Sequence, residues 1–282
     1  MKEETKPSLA ARREFLSKLS LAAVCTGAAV GAGALGVAST VSAKTEAPAQ
    51  GGSFPTKDYD WTQHHWAFGV DATKCIGCLR CVEACKRENG VPSDAHHFRT
   101  WVERYVYLEG DVNARIDSQQ DPVNIEASGS EKEFRFANRY KDAKVDKAFF
   151  VPKLCNQCTH PACVQVCPVG ATYMTKDGVV LIDEDYCIGC RYCVQACPYG
   201  ARFFNEEKKC AQKCTWCYHR ITKGLQPVCV GVCPVGARVF GDLKDKQSPI
   251  SLFIRNNRVL VLKPETGNAP NVYYVGIDKE VS

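Results

Sequence analysis

The sequence predicts an α+β fold in which two related cysteine-rich units carry short β-hairpins and helical turns, with an inserted loop subdomain and a C-terminal extension. The 282-residue chain contains eighteen cysteines, and seventeen of them lie between residues 75 and 233. Segment 75–85 nearly recurs at 187–197, and segment 163–171 recurs at 229–237. Alternate cysteine groups therefore resemble each other, which indicates duplication of a smaller unit.

Short strands are predicted directly after the cysteine groups. Ala171, Ala201 and Ala237 each precede a stretch of β-prone residues. After the first of these stretches, Lys-Asp-Gly at 176–178 supplies a turn into the apolar residues 179–182. This pattern predicts a β-hairpin.

Composition divides the rest of the chain into segments. Residues 44–60 are rich in proline, glycine and charge, as linkers are, and residues 109–147 are polar. Further strands are predicted from aromatic and β-branched residues at 98–108, 258–263 and 272–275. The predicted domains are a signal peptide at 1–43, a linker at 44–65, a first unit at 66–97 with 205–245, an insertion at 98–147, a second unit at 148–204 and a C-terminal docking extension at 246–282.

The N-terminus has the features of an export signal. Arg12 and Arg13 precede Phe-Leu and Lys18, and the 23 residues of 19–41 carry no charge. Small residues ending at Ala43 resemble a cleavage site, so we expect a twin-arginine signal that is removed together with Cys25. The alternative is a membrane anchor, but eleven of the 23 residues are glycine or alanine.

Charge and motifs argue against two classes of partner. The formal net charge is +5, and beyond residue 43 there are 31 basic against 28 acidic side chains. Nucleic-acid-binding proteins concentrate basic residues on one surface, so we expect no nucleic-acid partner. Beyond residue 43 the chain has neither a Gly-x-Gly-x-x-Gly motif nor a phosphate-binding loop, so we expect no nucleotide. No catalytic residue is predicted.

Sixteen cysteines form four groups, and these are the candidate metal ligands. The groups are Cys75, Cys78, Cys81, Cys85; Cys155, Cys158, Cys163, Cys167; Cys187, Cys190, Cys193, Cys197; and Cys214, Cys217, Cys229, Cys233. The first and third have the C-x2-C-x2-C-x3-C spacing of bacterial ferredoxins, in which three thiolates hold one cluster and the fourth holds a neighbour. The second and fourth are spacing variants. The pattern therefore predicts ferredoxin-like units that hold iron–sulfur clusters.

The residues beside the cysteines suit tight loops. Gly77 and Gly189 are expected to let the backbone approach a cluster. The fourth cysteine of a group is expected to start or follow a helical turn, which three prolines would stop, namely Pro168, Pro198 and Pro234. Cys85 is followed by Lys86 instead. Four apolar neighbours of the cysteines are expected to exclude water: Ile76, Val82, Ile188 and Val194.

Two other uses of the cysteines are disfavoured. Disulfides suit exported proteins, but closely spaced C-x2-C-x2-C thiols make poor long-range cross-links. Structural zinc favours pairs of C-x2-C, without a third cysteine three residues later. Cys210 is left over, four residues before Cys214. We interpret Cys210 as a spare thiol. The alternative is that Cys210, rather than Cys214, is a ligand.

One segment carries a family signature. Residues 213–220, Lys-Cys-Thr-Trp-Cys-Tyr-His-Arg, precede Gly224, Pro227 and Cys229-Val230. With the cysteine groups, this segment resembles the four-cluster iron–sulfur subunits of complex iron–sulfur molybdoenzymes and related respiratory complexes. Relatives in that family serve dimethyl sulfoxide, polysulfide, tetrathionate and nitrite reductases and formate dehydrogenase. The signal, the 86–154 segment and the tail most resemble the exported branch, which includes the sulfite-reduction-associated membrane complexes.

The resemblance implies four 4Fe-4S clusters whose ligands are exchanged between groups. The implied sets are Cys75, Cys78, Cys81 and Cys233 for cluster 1; Cys214, Cys217, Cys229 and Cys85 for cluster 2; Cys155, Cys158, Cys163 and Cys197 for cluster 3; and Cys187, Cys190, Cys193 and Cys167 for cluster 4. Spacing alone supports only the exchange between groups two and three, across the short gap from 167 to 187. Some relatives lack the third cysteine of group three, but Cys193 is present here.

The resemblance also implies a function in electron transfer. The expected role is a non-catalytic subunit of a membrane-associated respiratory complex, exported to the periplasm and located at the outer face of the cytoplasmic membrane. It would relay electrons between a polytopic quinone-reactive membrane subunit and a pterin, multihaem or cytochrome partner, in respiration of sulfite, polysulfide or similar compounds. The alternative is a free periplasmic polyferredoxin that diffuses between partners. An enzyme would need an open iron site, and sixteen cysteine ligands leave none.

Overall fold

Small sheets and short helices make up the part of the chain that the computed structural model describes, which is residues 59–93, 96–128, 133–278 and 281. Its strands are β1 (Trp66–Asp71), β2 (Thr100–Leu108), β3 (Arg115–Ser118), β4 (Ile125–Ser128), β5 (Glu133–Phe136), β6 (Val145–Leu154), β7 (Thr172–Met174), β8 (Val180–Ile182), β9 (Arg202–Asn205), β10 (Cys210–Lys213), β11 (Arg238–Asp242) and β12 (Val272–Val275). Its helices are α1 (Arg80–Asn89), α2 (Ala162–Gln165), α3 (Tyr192–Gln195), α4 (Tyr218–Ile221), α5 (Val228–Gly231) and α6 (Pro249–Asn256). The predicted α+β class is confirmed. The predicted signal at 1–43 and residues 44–58 of the predicted linker lie outside the described residues.

Strand β1 is the centre of a three-stranded sheet. It runs antiparallel to β11, with Trp66 opposite Asp242, and parallel to β12, with Phe68 opposite Val272. Phe68 and Val272 are fully buried, as is Tyr274 of β12. The C-terminal tail therefore completes the sheet that begins the first unit, and part of the predicted extension belongs to the core.

In the tail, the strand predicted at 272–275 is confirmed, but the strand predicted at 258–263 is wrong. Leu260 forms only an isolated bridge to Tyr274. The chain then leaves the sheet edge at Lys263, which has a left-handed φ of +45° and precedes a 3-10 turn beginning at Pro264. A ladder cannot continue through such a residue and a proline, so the apolar alternation of 258–263 produces no strand.

Strands β2 and β6 form the longest pairing in the described residues. They run antiparallel from Thr100 opposite Leu154 to Leu108 opposite Val145, and β3 pairs with the other edge of β2. The strand predicted at 98–108 is confirmed, and it begins at Thr100. Trp101, Val102 and Tyr105 of β2 are buried. The predicted loop subdomain thus contains paired strands. Its predicted end at residue 147 falls inside β6, which continues toward Cys155.

Hairpins follow two of the cysteine groups. Strands β7 and β8 pair antiparallel around the turn at 176–178, which confirms the predicted hairpin. Strands β9 and β10 form a second antiparallel hairpin, with Cys210 opposite Asn205. Because β10 ends at Lys213, this hairpin delivers the chain directly to Cys214.

Proline decides the length of the helices that carry cysteines. Helices α2, α3 and α5 have four residues each, and each is followed by a Cys-Pro pair that cannot continue the helix. Helix α1 has no such proline after Cys85 and continues to Asn89, where Gly90 adopts a φ of +57° and ends it. No helix of the described residues has the length and apolar character that crossing a bilayer requires.

An aromatic ring covers each of the two loops that share the ferredoxin spacing. Gly77 has a φ of +67°, and a Cβ atom there would lie 2.5 Å from a ring carbon of Phe150. Gly189 has a φ of +71°, and its Cβ would lie 3.1 Å from the ring of Phe204. These glycines therefore satisfy two needs at once, a left-handed backbone and close packing under a ring.

We expect Gly77→Ala to lower the melting temperature more than Gly90→Ala. Both place alanine in the left-handed region, at a cost of about 1–2 kcal/mol. Only Gly77→Ala also displaces a packed ring, which adds about 1–3 kcal/mol, because no atom lies within 4 Å of the corresponding position at Gly90. Anaerobic thermal unfolding of both variants measures the difference. Equal melting temperatures would show that the Phe150 ring does not constrain the loop.

Candidate metal centres

Four cysteines from distant parts of the chain meet in a first cavity. Its empty volume is about 330 Å³, and its walls include the sulfur-bearing residues Cys75, Cys78, Cys81 and Cys233. The loop between β1 and α1 and the start of α1 supply three of them, and the turn between α5 and β11 supplies the fourth. Because β1 and β11 are paired, the sheet fixes the two contributing segments against each other.

A second cavity has the same construction. Its empty volume is about 350 Å³, and it is lined by Cys155, Cys158, Cys163 and Cys197, together with Asn156 and Arg202. Three of the cysteines come from the loop after β6 and from α2, and the fourth follows α3. Each of these two cavities therefore combines the first three cysteines of one group with the last cysteine of another.

A third set of cysteines is held together by burial and by a shared hydrogen-bond donor. Cys85, Cys214, Cys217 and Cys229 are all buried. The side-chain amide of Asn89 donates to Sγ of Cys85 at 3.5 Å and to Sγ of Cys217 at 3.7 Å. Burial raises the pKa of Cys85 well above its usual value, and the charges of the other three sulfurs raise it further. These four thiols therefore share one low-dielectric site.

The remaining grouped cysteines line neither of the two cavities. They are Cys167, Cys187, Cys190 and Cys193, of which Cys193 is buried and Cys190 is exposed. Sγ of Cys167 accepts the backbone N–H of Thr172 at 3.4 Å. Burial raises the pKa of Cys167, but the backbone N–H groups of residues 169–172 lower it by more, so this pKa lies below its usual value. Its surroundings therefore favour a thiolate.

The Cys-Pro-x-Gly-Ala segments do more than stop helices. In one of them, Sγ of Cys233 accepts the backbone N–H of Ala237 at 3.3 Å, and Gly236 between them has a φ of +61°. The left-handed glycine turns the following N–H groups back toward the sulfur, as in other anion-binding backbone nests. Sequence reasoning had assigned the proline a stop function and did not identify these donors.

Two buried arginines reach sulfur atoms. Arg238 donates through Nη2 to Sγ of Cys81 at 3.3 Å. Arg202 donates through Nη2 to Sγ of Cys163 at 3.0 Å. The sequence analysis missed both, although a signal exists, since Ala-Arg follows the fourth cysteine in two of the three Cys-Pro-x-Gly-Ala segments. Cys81 and Cys163 are each the third cysteine of their group.

Burial keeps several of the free thiols protonated. It raises the pKa of Cys75 to about 11 and that of Cys158 to about 12, in both cases as the largest cause. Because thiolates are the metal-binding form, loading these sites with metal releases protons. No cysteine of the described residues is joined in a disulfide.

The cavities also contain donors that lack acceptors. Within the described residues, Nη1 of Arg238 and the side-chain amide of Asn156 are buried without a hydrogen-bond partner, and so is Nε1 of Trp216. Arg238 lines the first cavity and Asn156 the second. Buried donors of this kind need an acceptor, which a group bearing sulfide supplies and a zinc ion does not. The residues present therefore fit iron–sulfur clusters.

The apolar residues beside the cysteines differ from the prediction in part. Val82 is buried, but Ile76 is 58% exposed and Ile188 is 63% exposed. Each isoleucine lies between the first two cysteines of its group, in a loop that also leaves Cys78 or Cys190 exposed. The expectation that both isoleucines exclude water is therefore wrong.

The leftover cysteine is buried away from solvent. Cys210 is fully buried in β10 and pairs with Asn205 across the hairpin. Burial raises its pKa to about 11, and the charges of Glu184 and Cys187 raise it as well. Such a thiol is unreactive.

Comparison with known proteins identifies the family. Two family models, each described as a 4Fe-4S dicluster domain, match residues 74–171 and 146–243. A tetrathionate reductase subunit of Salmonella typhimurium is 40% identical over 218 residues, which are 77% of this chain and 74% of that protein. Its namesake from Archaeoglobus fulgidus is 44% identical over 212 residues, 75% of this chain and 82% of that one. From the same organism, Hdr-like menaquinol oxidoreductase iron-sulfur subunit 1 is 32% identical over 259 residues, 77% of this chain and 86% of that one.

These findings agree with the geometry of the cysteines. Two dicluster domains account for four 4Fe-4S clusters, and together they span all sixteen grouped cysteines between residues 74 and 243. The predicted cofactors and the predicted ferredoxin-like units are confirmed. The chain is an electron-transfer component of a reductase complex, and it belongs to the family of four-cluster iron–sulfur subunits of molybdoenzyme complexes.

Proposed function

We propose that this chain relays electrons through its clusters in the order 1, 2, 3, 4, with the ligand sets that the family resemblance implies. The two cysteine-lined cavities support the sets for clusters 1 and 3. The shared Asn89 amide supports the set for cluster 2. Cluster 4 takes the four cysteines that remain, including Cys167.

The order rests on contacts between the sets. Cys85 of group one lies with the sulfurs of group four, which makes clusters 1 and 2 neighbours in the first unit. Burial, together with the charges of Cys217 and Cys155, raises the pKa of Cys214 to about 12. The effect of Cys155 on Cys214 supports close approach of the second and third sets. Cluster 4 shares the second unit with cluster 3. This arrangement supports a single line of clusters.

Exposure supports entry and exit at the two ends of that line. Cluster 1 includes the exposed Cys78, and cluster 4 includes the exposed Cys190, whereas every ligand of cluster 2 is buried. The isoleucines that face solvent, Ile76 and Ile188, lie beside the two end clusters. Electron transfer between proteins needs a close approach of the cofactors, so partners would dock at these ends.

The protein's own residues perform three tasks in this relay. Clusters held by the sixteen cysteines would supply one-electron chemistry. The cysteines fix the positions of the clusters, the backbone N–H groups and arginines stabilise negative charge on sulfur, and the packed sheets exclude water from the inner sites. All three influence the potentials at which electrons pass.

The proposal includes a location and a set of partners. Residues 1–43 have the pattern of a twin-arginine signal, so we infer export to the periplasm and attachment to the outer face of the cytoplasmic membrane. We infer a polytopic quinone-reactive membrane subunit on one side, supported by the relative named for menaquinol oxidation. On the other side we infer a pterin, multihaem or cytochrome partner that reduces a sulfur compound, supported by the tetrathionate reductase relatives.

A second candidate is a free periplasmic carrier. The insertion between β2 and β6 favours the fixed subunit, because a diffusing carrier has no need of a cysteine-free segment of this length. Three of its apolar side chains are exposed, namely Val112, Ile116 and Val123. The tail supports this choice less than its sequence suggests, since β12 is part of the core sheet.

Extraction from membranes separates the two candidates. Solubilised in mild detergent, the native chain is expected to elute with an integral membrane protein, and the complex should contain quinol-reducible clusters. Recovery of the chain as a monomer in the periplasmic fraction would support the free carrier instead.

Serine variants test the ligand sets. Cys85→Ser and Cys214→Ser are expected to change the same component of the EPR spectrum, although they lie in different cysteine groups. Cys81→Ser, only four residues from Cys85, is expected to change a different component. Matching spectra for Cys81→Ser and Cys85→Ser would overturn the exchange between groups one and four.

Removal of the leftover thiol tests its role. Cys210→Ala is expected to keep about sixteen irons per chain, whereas Cys214→Ala loses one cluster and falls to about twelve. Iron analysis of anaerobically prepared protein measures both. Loss of iron from Cys210→Ala, with Cys214→Ala unaffected, would make Cys210 the ligand.

A further inference from the structure

Arg202 and Arg238 occupy matching places in the two halves of the molecule. Each follows the alanine of a Cys-Pro-x-Gly-Ala segment, begins a strand and donates to the sulfur of a third cysteine. We infer that these two arginines set the potentials of clusters 1 and 3 above those the same sites would have without them. The inference rests on the proposed ligand sets.

The surroundings of Arg238 leave the cluster as its counter-ion. Nη2 donates to Sγ of Cys81 at 3.3 Å and to Oγ1 of Thr100 at 2.9 Å, while Nη1 has no protein acceptor. Among the described residues, no carboxylate pairs with Arg238. A buried guanidinium without a carboxylate is costly unless another negative charge compensates it. The sulfur ligands of cluster 1 provide that charge.

Arg202 has an equivalent environment. Nη2 donates to Sγ of Cys163 at 3.0 Å, and Nη1 donates to Oγ1 of Thr172 at 3.3 Å. It too is buried and has no carboxylate partner in the described part of the chain. Because an arginine guanidinium stays protonated in proteins, Arg202 places a positive charge beside cluster 3.

Among the described residues, no guanidinium donates to a ligand sulfur of the other two clusters, although the charge of Arg238 also acts on Cys229 of cluster 2 and that of Arg202 on Cys193 of cluster 4. At cluster 2 the side-chain donor to sulfur is the neutral amide of Asn89, beside the backbone N–H of Trp216. The buried Arg99 lies behind that amide, 3.4 Å from Oδ1 of Asn89 and 4.0 Å from a carboxylate oxygen of Glu184. At cluster 4 the position that corresponds to the arginines is Thr172. The buried Lys213 donates to the backbone carbonyls of Val180 and Cys214, not to sulfur.

A fixed positive charge at a ligand sulfur favours the reduced cluster. Reduction adds one negative charge, and the guanidinium stabilises that charge in a medium of low dielectric constant. Arginine thus raises the potential of its own cluster more than that of the next. The largest effect is therefore expected at the first and third clusters, with a smaller one at the clusters that contain Cys229 and Cys193.

Potentiometric titration followed by EPR tests the inference. Arg238→Gln is expected to lower the equilibrium constant for reduction of one cluster at least tenfold, which is about 59 mV for one electron. Arg202→Gln should do the same to a different cluster. Arg115→Gln is the matched control, because its guanidinium is exposed, pairs with Asp111 and loses the same charge; all four midpoints should stay unchanged.

Lysine variants address the case in which glutamine prevents assembly. Arg238→Lys and Arg202→Lys keep the charge, so each cluster should assemble with a midpoint closer to that of the native protein than in the glutamine variant. The role of the arginine would be purely structural if its cluster stays absent in the lysine variant. The same would follow if the equilibrium constant for reduction of that cluster still changes tenfold although the charge is kept. Unchanged midpoints in assembled glutamine variants, or equal shifts of all four clusters, would also overturn the inference.

A ligand variant separates failure of this inference from failure of the proposed sets. Cys81→Ser and Cys233→Ser should perturb the same component that Arg238→Gln shifts. If the two serine variants perturb different components, the set for cluster 1 is wrong. If they agree with each other but Arg238→Gln shifts another component, the set stands and the role of the arginine is wrong.

Discussion

Sixteen sulfur ligands must be held close together, largely out of water, and each brings negative charge when it binds metal. Hydrogen-bond donors placed at the sulfur atoms stabilise this negative charge. Backbone N–H groups point at Cys167 and Cys233, and the amide of Asn89 reaches two sulfurs of one set. Two buried arginines complete the arrangement. The left-handed glycines follow from the same constraint, because they turn the chain back on the sulfur.

Duplication of a two-cluster unit explains the symmetry of the molecule, and small departures from it give each cluster its own environment. Proline ends three of the cysteine-bearing helices after one turn, but Lys86 lets α1 continue and bring Asn89 beside Cys85. Arginine follows two of the Cys-Pro-x-Gly-Ala segments and threonine follows the third. Sequence changes of one residue therefore alter charge and hydrogen bonding at a sulfur atom while the loop that holds the cluster is preserved.

Features fixed by local chemistry were predictable from the sequence. The cysteine spacing, the hairpin at 176–178 and the strands after Ala171, Ala201 and Ala237 depend on residues within a few positions of each other. The repeated Ala-Arg pair marks the position of Arg238, but its contact with Cys81 was not predictable, because the two residues are 157 positions apart. The strand expected at 258–263 is absent because Lys263 adopts a left-handed conformation before Pro264, which the apolar alternation does not reveal. The exposure of Ile76 and Ile188 depends on how their loops lie in the folded chain, which composition does not encode.

Electron relay through this chain requires four clusters close enough to exchange electrons. EPR spectroscopy of the fully reduced, anaerobically prepared protein tests this most directly, because neighbouring paramagnetic clusters broaden each other's signals. About four spins per chain are expected, in a spectrum broadened by coupling. Sharp signals from isolated clusters, or clearly fewer spins with zinc bound in place of iron, would contradict it.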